Sequence, residues 1–263
     1  MFKFQNYVRA KTLEEAWQLN QKKSNRVIAG MMWLKMSNAT ISTAVDLCDL
    51  ELDKIEENDE EFSIGAMVSL RQIEMHENLN RYTHNAVRKA VGDIVGVQFR
   101  NTATVGGSIF GRYGFSDVLT VFQAMDSYVE LYKGGIVPLE QFAKSKYDRD
   151  ILIRIIVKKH KGKFAYQSMR NTRTDFPVIA CAVSCIDGKY RAAIGARPSK
   201  AIVVRDEKNI LGADVRENAV AQFAQYVADN APTQSNLRGS SEYRTHLIKV
   251  LVQRAVDEME EEQ

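Results

Sequence analysis

The chain has 263 residues, 45% of them hydrophobic and 26% charged, enough for one or two domains with a buried core. Its net charge of +3 is small, and Lys and Arg are mixed with acids, which argues against a nucleic-acid partner. No apolar run approaches the ~18 residues of a membrane helix, and the opening Met1-Phe2-Lys3-Phe4-Gln5-Asn6 has no apolar signal core, so no membrane partner and a cytoplasmic location are expected.

Phe2 to Val8 reads as a strand, and Thr12-Leu13-Glu14-Glu15 as a capping box that starts an amphipathic helix with Leu13, Ala16, Trp17 and Asn20. Strands follow at Arg26 to Ala29 and Ala44 to Leu47, which makes the first 50 residues a βαβ subdomain. The acidic run Glu56 to Glu61 reads as a solvated turn. A strand at Phe62 to Met67 precedes a helix over Asn80 to Ile94, with Tyr82, Val87, Val91 and Ile94 near one face. A glycine-rich segment and a helix from Asp117 to Ala124 come next. Tyr128 to Val137 carries a hairpin signal at Gly134-Gly135, and Ile151 to Val157 is a strand.

The basic run Lys158 to Lys163 reads as a solvated loop at a domain boundary. Beyond it, strands at Phe164 to Met169, Val178 to Ile186 and Tyr190 to Ala196 predict a three-stranded antiparallel sheet, with Asp187-Gly188 as a hairpin turn. Helices over Val215 to Asp229 and Ser241 to Glu260, separated by Pro232, complete a small α+β domain. Asp257 to Glu262 reads as a frayed, solvated end. Cys181 and Cys185 share one face of a strand and read as buried free thiols. Three cysteines and four scattered histidines offer no disulfide framework, metal site or iron–sulfur spacing.

Four of the 15 glycines fall within nine residues, at Gly106, Gly107, Gly111 and Gly114, flanked by Thr102, Thr104, Ser108 and Asp117. Glycine permits close approach of backbone to a ligand, and turn amides can point together at an anion. Asp117 can accept bonds from ribose hydroxyls. A plain turn is the competing reading. The spacing matches neither a P-loop nor the Gly-x-Gly-x-x-Gly fingerprint.

Gln98-Phe99-Arg100-Asn101-Thr102-Ala103-Thr104-Val105-Gly106-Gly107-Ser108, with Asp117 ten residues after Gly107, resembles the flavin segment of the FAD subunits of molybdenum hydroxylases, such as the xanthine dehydrogenase and carbon monoxide dehydrogenase medium subunits. Arg238-Gly239-Ser240-Ser241-Glu242-Tyr243-Arg244-Thr245-His246-Leu247, followed by Val250-Leu251-Val252-Gln253-Arg254-Ala255, resembles that family's C-terminal helix. The resemblance implies an α+β fold: a two-subdomain FAD-binding domain of the vanillyl-alcohol-oxidase/PCMH type over residues 1–158 (subdomains about 1–52 and 53–158), then a C-terminal flavoprotein domain over 159–263.

The resemblance also implies a site for FAD on two backbone segments. The first is Val27-Ile28-Ala29-Gly30-Met31-Met32-Trp33-Leu34, whose amides would hold the pyrophosphate. The family usually reads Ala-Gly-Gly-Thr there, so Met31 and Met32 depart from it. A Met at φ > 0 is strained, so either this turn is not left-handed or the grip on phosphate is weaker. Met31, Met32 and Trp33 otherwise read as apolar packing. In the second segment Thr104 donates its hydroxyl, Gly106 and Gly107 supply close-approach backbone, Ser108 replaces an Asn, and Asp117 binds ribose. Ile94 matches a position near the adenine, Leu152 a backbone contact to the isoalloxazine, and Gln167 a position where the family has Lys. Tyr113 and Phe115 either cover a flavin face or are surface aromatics.

No nucleophile–base pair stands out, which fits a protein whose cofactor carries the chemistry. The resemblance implies an oxidoreductase subunit that passes electrons from a [2Fe-2S] subunit through FAD to NAD or another acceptor, with molybdopterin on a further partner subunit. Two alternatives remain: an interaction subunit of the same complex that has lost FAD, and a stand-alone flavin oxidoreductase.

Overall fold

The computed structural model describes residues 1–212 and 215–261. It opens on a parallel three-stranded sheet in the order β1-β3-β2, formed by β1 (Lys3–Arg9), β2 (Arg26–Ile28) and β3 (Thr40–Asp46). Helix α1 (Leu13–Gln21) crosses between β1 and β2. Its capping box forms by half. Thr12 Oγ1 accepts from the Glu15 N–H at 3.1 Å, but the Glu15 carboxylate turns to the Lys11 N–H. Asn20 on the buried face donates to the Arg149 carbonyl, and the Arg149 guanidinium returns to the carbonyls of Lys22 and Asn25. Those bonds fasten the first subdomain to the second.

The second sheet has five antiparallel strands, ordered β4-β5-β8-β6-β7: β4 (Ile55–Glu57), β5 (Glu61–Gly65), β6 (Ser127–Leu131), β7 (Gly135–Pro138) and β8 (Leu152–Lys158). Between β5 and β6 the chain forms six short helices, α2 (Leu70–Met75), α3 (Glu77–Tyr82), α4 (Ala86–Gly92), α5 (Val97–Thr102), α6 (Val105–Phe110) and α7 (Asp117–Gln123); α8 (Leu139–Lys144) follows β7. The single helix expected over Asn80 to Ile94 is broken. His84 and Asn85 lie at φ 48° and 60°, and Thr83 Oγ1 donates to the Leu79 carbonyl to close α3. The acidic and basic runs are not merely solvated. Register sets Glu61 opposite Lys158, their side chains pair at 2.5 Å, and Lys159 pairs with Glu57 at 2.7 Å.

The C-terminal sheet has four strands, one more than expected: β9 (Gly162–Arg170), β10 (Pro177–Ile186), β11 (Lys189–Gly195) and the added edge β12 (Ile202–Arg205). The Asp187-Gly188 turn has both residues at positive φ, as a tight hairpin requires. One sheet face, including Phe164, Tyr166, Ala180 and Ala182, joins the core beneath helices α4 and α7. The other, including Ala165, Cys181 and Val183, packs under α9 (Glu217–Asn230) and α10 (Ser241–Glu261). Burial on both faces explains the unbroken apolar run of β10. It also pushes the Cys181 thiol well above its ordinary pKa. The expected frayed end is instead helical to Glu261: Met259 is buried, Glu258 meets Lys89 and Gln167, and Glu260 meets Lys163. Glu262 of that run lies outside the described residues.

Helix α10 begins on a buried arginine. Arg244 donates from Nε to the Val178 carbonyl (2.8 Å), from Nη1 to the carbonyls of Gln234 and Gly239, and from Nη2 to Asn236 Oδ1. This gives the Arg238–Arg244 motif a structural reason: one guanidinium satisfies the loop that precedes its own helix. Arg244→Met is expected to destabilise the protein by about 3 kcal/mol, because it strands buried carbonyls. Chemical denaturation of variant and parent, each extrapolated to water, measures the difference.

Candidate functional site

The first backbone segment leaves β2 and turns sharply at Gly30-Met31. At Gly30 a β-carbon would overlap the Thr102 carbonyl oxygen and stand 3.0 Å from Ala103 Cα. Only glycine allows this crossing of the two segments. Met31 follows at φ 53°, so the left-handed turn survives with an L-residue in it, at a cost of about 1 kcal/mol. Its carbonyl accepts from the Lys35 N–H at 2.9 Å, and its side chain packs on Ile28, Ile41 and Ala44. Among the described residues, the N–H groups of Gly30, Met31, Met32 and Trp33 find no acceptor in the protein.

The second segment is helical where a turn was expected. Thr104 caps α6, its Oγ1 accepting from the Gly107 N–H at 3.1 Å. The N–H groups of Val105 and Gly106 donate to the carbonyls of Val68 and Ala66, and Ser108 N–H donates to the Thr104 carbonyl. The amides at the start of α6 are therefore already used, which corrects the expectation of a converging anion turn there. Neither Gly106 nor Gly107 has positive φ. Gly106 is instead a packing glycine, since its β-carbon would sit 2.5 Å from the Ala66 carbonyl oxygen, whereas at Gly107 only Thr104 Oγ1 would come close, at 3.1 Å.

Between the segments lies a cavity of about 850 Å³, within the roughly 300–1,000 Å³ typical of ligand pockets. Val27 to Leu34, Ile94, Thr104, Gly106, Gly107, Ser108, Asp117 and Leu152 all line it. Gln167 does not. Its Nε2 donates to Glu258 on α10 at 2.6 Å, because odd positions of β9 face the helices and even positions face the cavity side. Strand alternation from the buried Tyr166 points to Arg170 as the β9 cation at the cavity, and Arg170 is there.

Asp117, at the start of α7, is 5% exposed, and its Oδ1 accepts from both the Tyr166 hydroxyl and Arg170 Nη2, the latter at 2.7 Å. Burial raises the Asp117 carboxyl above the ordinary carboxylate range, against the pull of Arg170 and the two donors. Burial and Asp117 together push the Tyr166 phenol well above its ordinary value, so it serves as a donor.

The rim of the cavity is aromatic. Trp33 stacks on Phe176 at 5.2 Å and meets Phe115 and Phe99 edge-on, while Tyr113 stacks on Phe115 at 5.1 Å. Trp33 remains 40% exposed, so it is not core packing. Tyr113 and Phe115 both line the cavity. Phe99 and Phe176, which nothing in the sequence singled out, bring α5 and the C-terminal sheet to the same cluster.

Residues 2–161 match the family model described as the FAD binding domain in molybdopterin dehydrogenase, and residues 164–259 match that of the CO dehydrogenase flavoprotein C-terminal domain. The glyceraldehyde dehydrogenase medium chain of Sulfolobus acidocaldarius is 27% identical, over 97% of this chain and 98% of its own. The xanthine dehydrogenase FAD-binding subunit of Escherichia coli O157:H7 is 26% identical, over 98% and 97%. An uncharacterized protein of E. coli K12 is 28% identical, over 94% and 93%. Among solved structures, quinoline 2-oxidoreductase of Pseudomonas putida 86 superposes with a TM-score of 0.86 at 21% identity, over 97% of this chain and 96% of that one. Carbon monoxide dehydrogenase of Hydrogenophaga pseudoflava gives 0.86 at 22%, over the same shares. A glycine-only crossing of two segments, a cavity between them and two adjoining family matches lead to one assignment: the chain belongs to the FAD-binding subunits of the molybdopterin dehydrogenases, the molybdenum hydroxylase flavoproteins, and is an oxidoreductase subunit.

Proposed function

We propose that this chain binds one FAD in the cavity between its two backbone segments and works as the electron-transfer subunit of a cytoplasmic, xanthine dehydrogenase-like complex. A [2Fe-2S] subunit would deliver electrons that originate at a molybdopterin-binding subunit, and NAD or another acceptor would remove them. Bound FAD supplies the redox chemistry; the protein supplies binding, orientation and exclusion of water.

The observation that carries this reading is the set of four unpartnered N–H groups at Gly30 to Trp33, on the wall of a cavity large enough for the cofactor. Backbone donors of this kind suit a diphosphate, since they need no particular side chain. Gly30 lets that wall approach the second segment. Arg26 adds a positive charge on the same side, its own Nη1 already turned to the carbonyls of Lys23 and Asn25. Ile94, Phe99 and Leu152 give apolar walls for ring systems, and Asp117 offers an acceptor to a ribose. The Trp33–Phe176 stack adds an aromatic wall.

The alternative of a subunit that has lost FAD rested on Met31-Met32 and Gln167. It is weakened at Gln167, which lies away from the cavity, whereas Met31 keeps the left-handed turn at the cost of backbone strain. Titration of the purified chain with FAD should give a flavin absorption band approaching one FAD per chain; colourless protein at saturating FAD contradicts the reading. Gly30→Ala should weaken FAD binding about tenfold or more, since crowding of backbone by a methyl costs roughly 1–3 kcal/mol. Gly107→Ala, which crowds only a hydroxyl, should stay within about threefold of the parent on the same scale. Fluorescence quenching of FAD by each variant reads both numbers.

A further inference from the structure

Arg170 stands at the end of β9 with its side chain 6% exposed. Its guanidinium joins two parts of the cavity wall. Nη2 reaches Asp117 Oδ1 at 2.7 Å, and Nη1 donates to the Asp175 carbonyl at 2.5 Å. Thr174, Asp175 and Phe176 line the cavity from the C-terminal domain, and Asp117 lines it from the FAD domain. Both side-chain bonds to Asp117, from Arg170 and from Tyr166, fall on Oδ1, and the Asp117 N–H also reaches the carboxylate. Among the described residues, no other side chain reaches Oδ2.

We propose that Arg170 is a positioning residue for the flavin nucleotide: it fixes the Asp117 carboxylate with Oδ2 left for a ribose hydroxyl, and it pins the 174–176 segment as the facing wall. The inference rests on the FAD reading above and deepens it. A buried carboxylate next to a cavity binds a hydroxyl donor as an anion only if a neighbouring charge keeps it ionised. Arg170 is that charge, and Tyr166 is the second donor. Burial opposes the charge on Arg170, yet Asp117 and Tyr166 beside it hold its pKa above the ordinary arginine value. The other groups near this pair are Asp93, which acts on Arg170 and is itself paired with Arg173, and the Asp175 carboxylate, which is paired with Arg238.

The position makes a prediction that a purely structural role does not. Without Arg170 the Asp117 carboxyl rises further, and the form that accepts a ribose hydroxyl is lost as pH falls through the raised value. FAD affinity is therefore measured by fluorescence titration from pH 5 to 9 in the full chain, for the parent, Arg170→Met, Arg170→Lys and Tyr166→Phe. Arg170→Met should bind FAD about tenfold more weakly at pH 7, with the acidic fall in affinity moved up by about one pH unit or more. Arg170→Lys should keep the parent's pH midpoint, because it keeps the charge. Tyr166→Phe, nearly isosteric, should move the midpoint in the same direction by less, and it carries the test if Arg170→Met fails to fold. Adding Asp117→Asn to Arg170→Met should abolish the shifted pH dependence. A parent that binds FAD alongside variants with an unmoved midpoint overturns the inference alone. A parent that binds no FAD overturns the reading beneath it and the inference together.

Discussion

A single missing methyl group governs the geometry of the cavity. Because Gly30 has no β-carbon, the turn after β2 can press on the backbone of Thr102 and Ala103, and the first and second segments meet at van der Waals distance. That contact fixes the relative position of two subdomains that share no sheet. It brings Gly30 to Trp33 to the cavity wall, and among the described residues their amides have no acceptor in the protein. Gly106 plays the matching part on the other segment, letting α6 lie against the Ala66 carbonyl so that its own first amides are consumed internally. The division of labour follows: the first segment offers free donors, and the second offers shape.

The C-terminal domain closes what the FAD domain leaves open. Its four-stranded sheet is buried on both sides, with α10 seated through Arg244 on one face and the FAD-domain core on the other. The junction between domains has an apolar core with ion pairs such as Lys89–Glu258 around it, and at the cavity it carries the buried pair Asp117–Arg170, joined by the Tyr166 hydroxyl. A buried ion pair adds little stability by itself and breaks expensively. Here it lies where two walls of one cavity must keep a fixed separation, which is a use that stability alone does not explain.

Much of this was legible in the chain. Alternation marked β5, apolar character marked β8 and β10, and the Asp187-Gly188 pair marked the hairpin that joins β10 to β11. The two resembling motifs, Gln98 to Asp117 and Arg238 to Ala255, point to the family by themselves. Other features were hidden for physical reasons. The Gly106-Gly107 pair looks like a turn because glycine is rare in helices, yet a Thr104 cap and close packing on Ala66 make helix the better solution. His84-Asn85 interrupts a helical pattern through positive φ at two residues, one of which tolerates that conformation. Ser69-Leu70-Arg71-Gln72 is a complete capping box that starts α2, a signal the sequence carries openly. Gln167 was misplaced because counting along a motif ignores strand alternation, which sends residues 166 and 170 to one side and 167 to the other.

Hydrogen–deuterium exchange of the chain with and without FAD tests the central claim most directly, because it reads backbone donors one segment at a time. The account predicts that FAD slows exchange at Gly30 to Trp33, whose amides are free in the protein alone, and leaves Val105 to Ser108, already bonded, nearly unchanged. Protection that appears at Val105 to Ser108 while Gly30 to Trp33 keeps exchanging freely would contradict it.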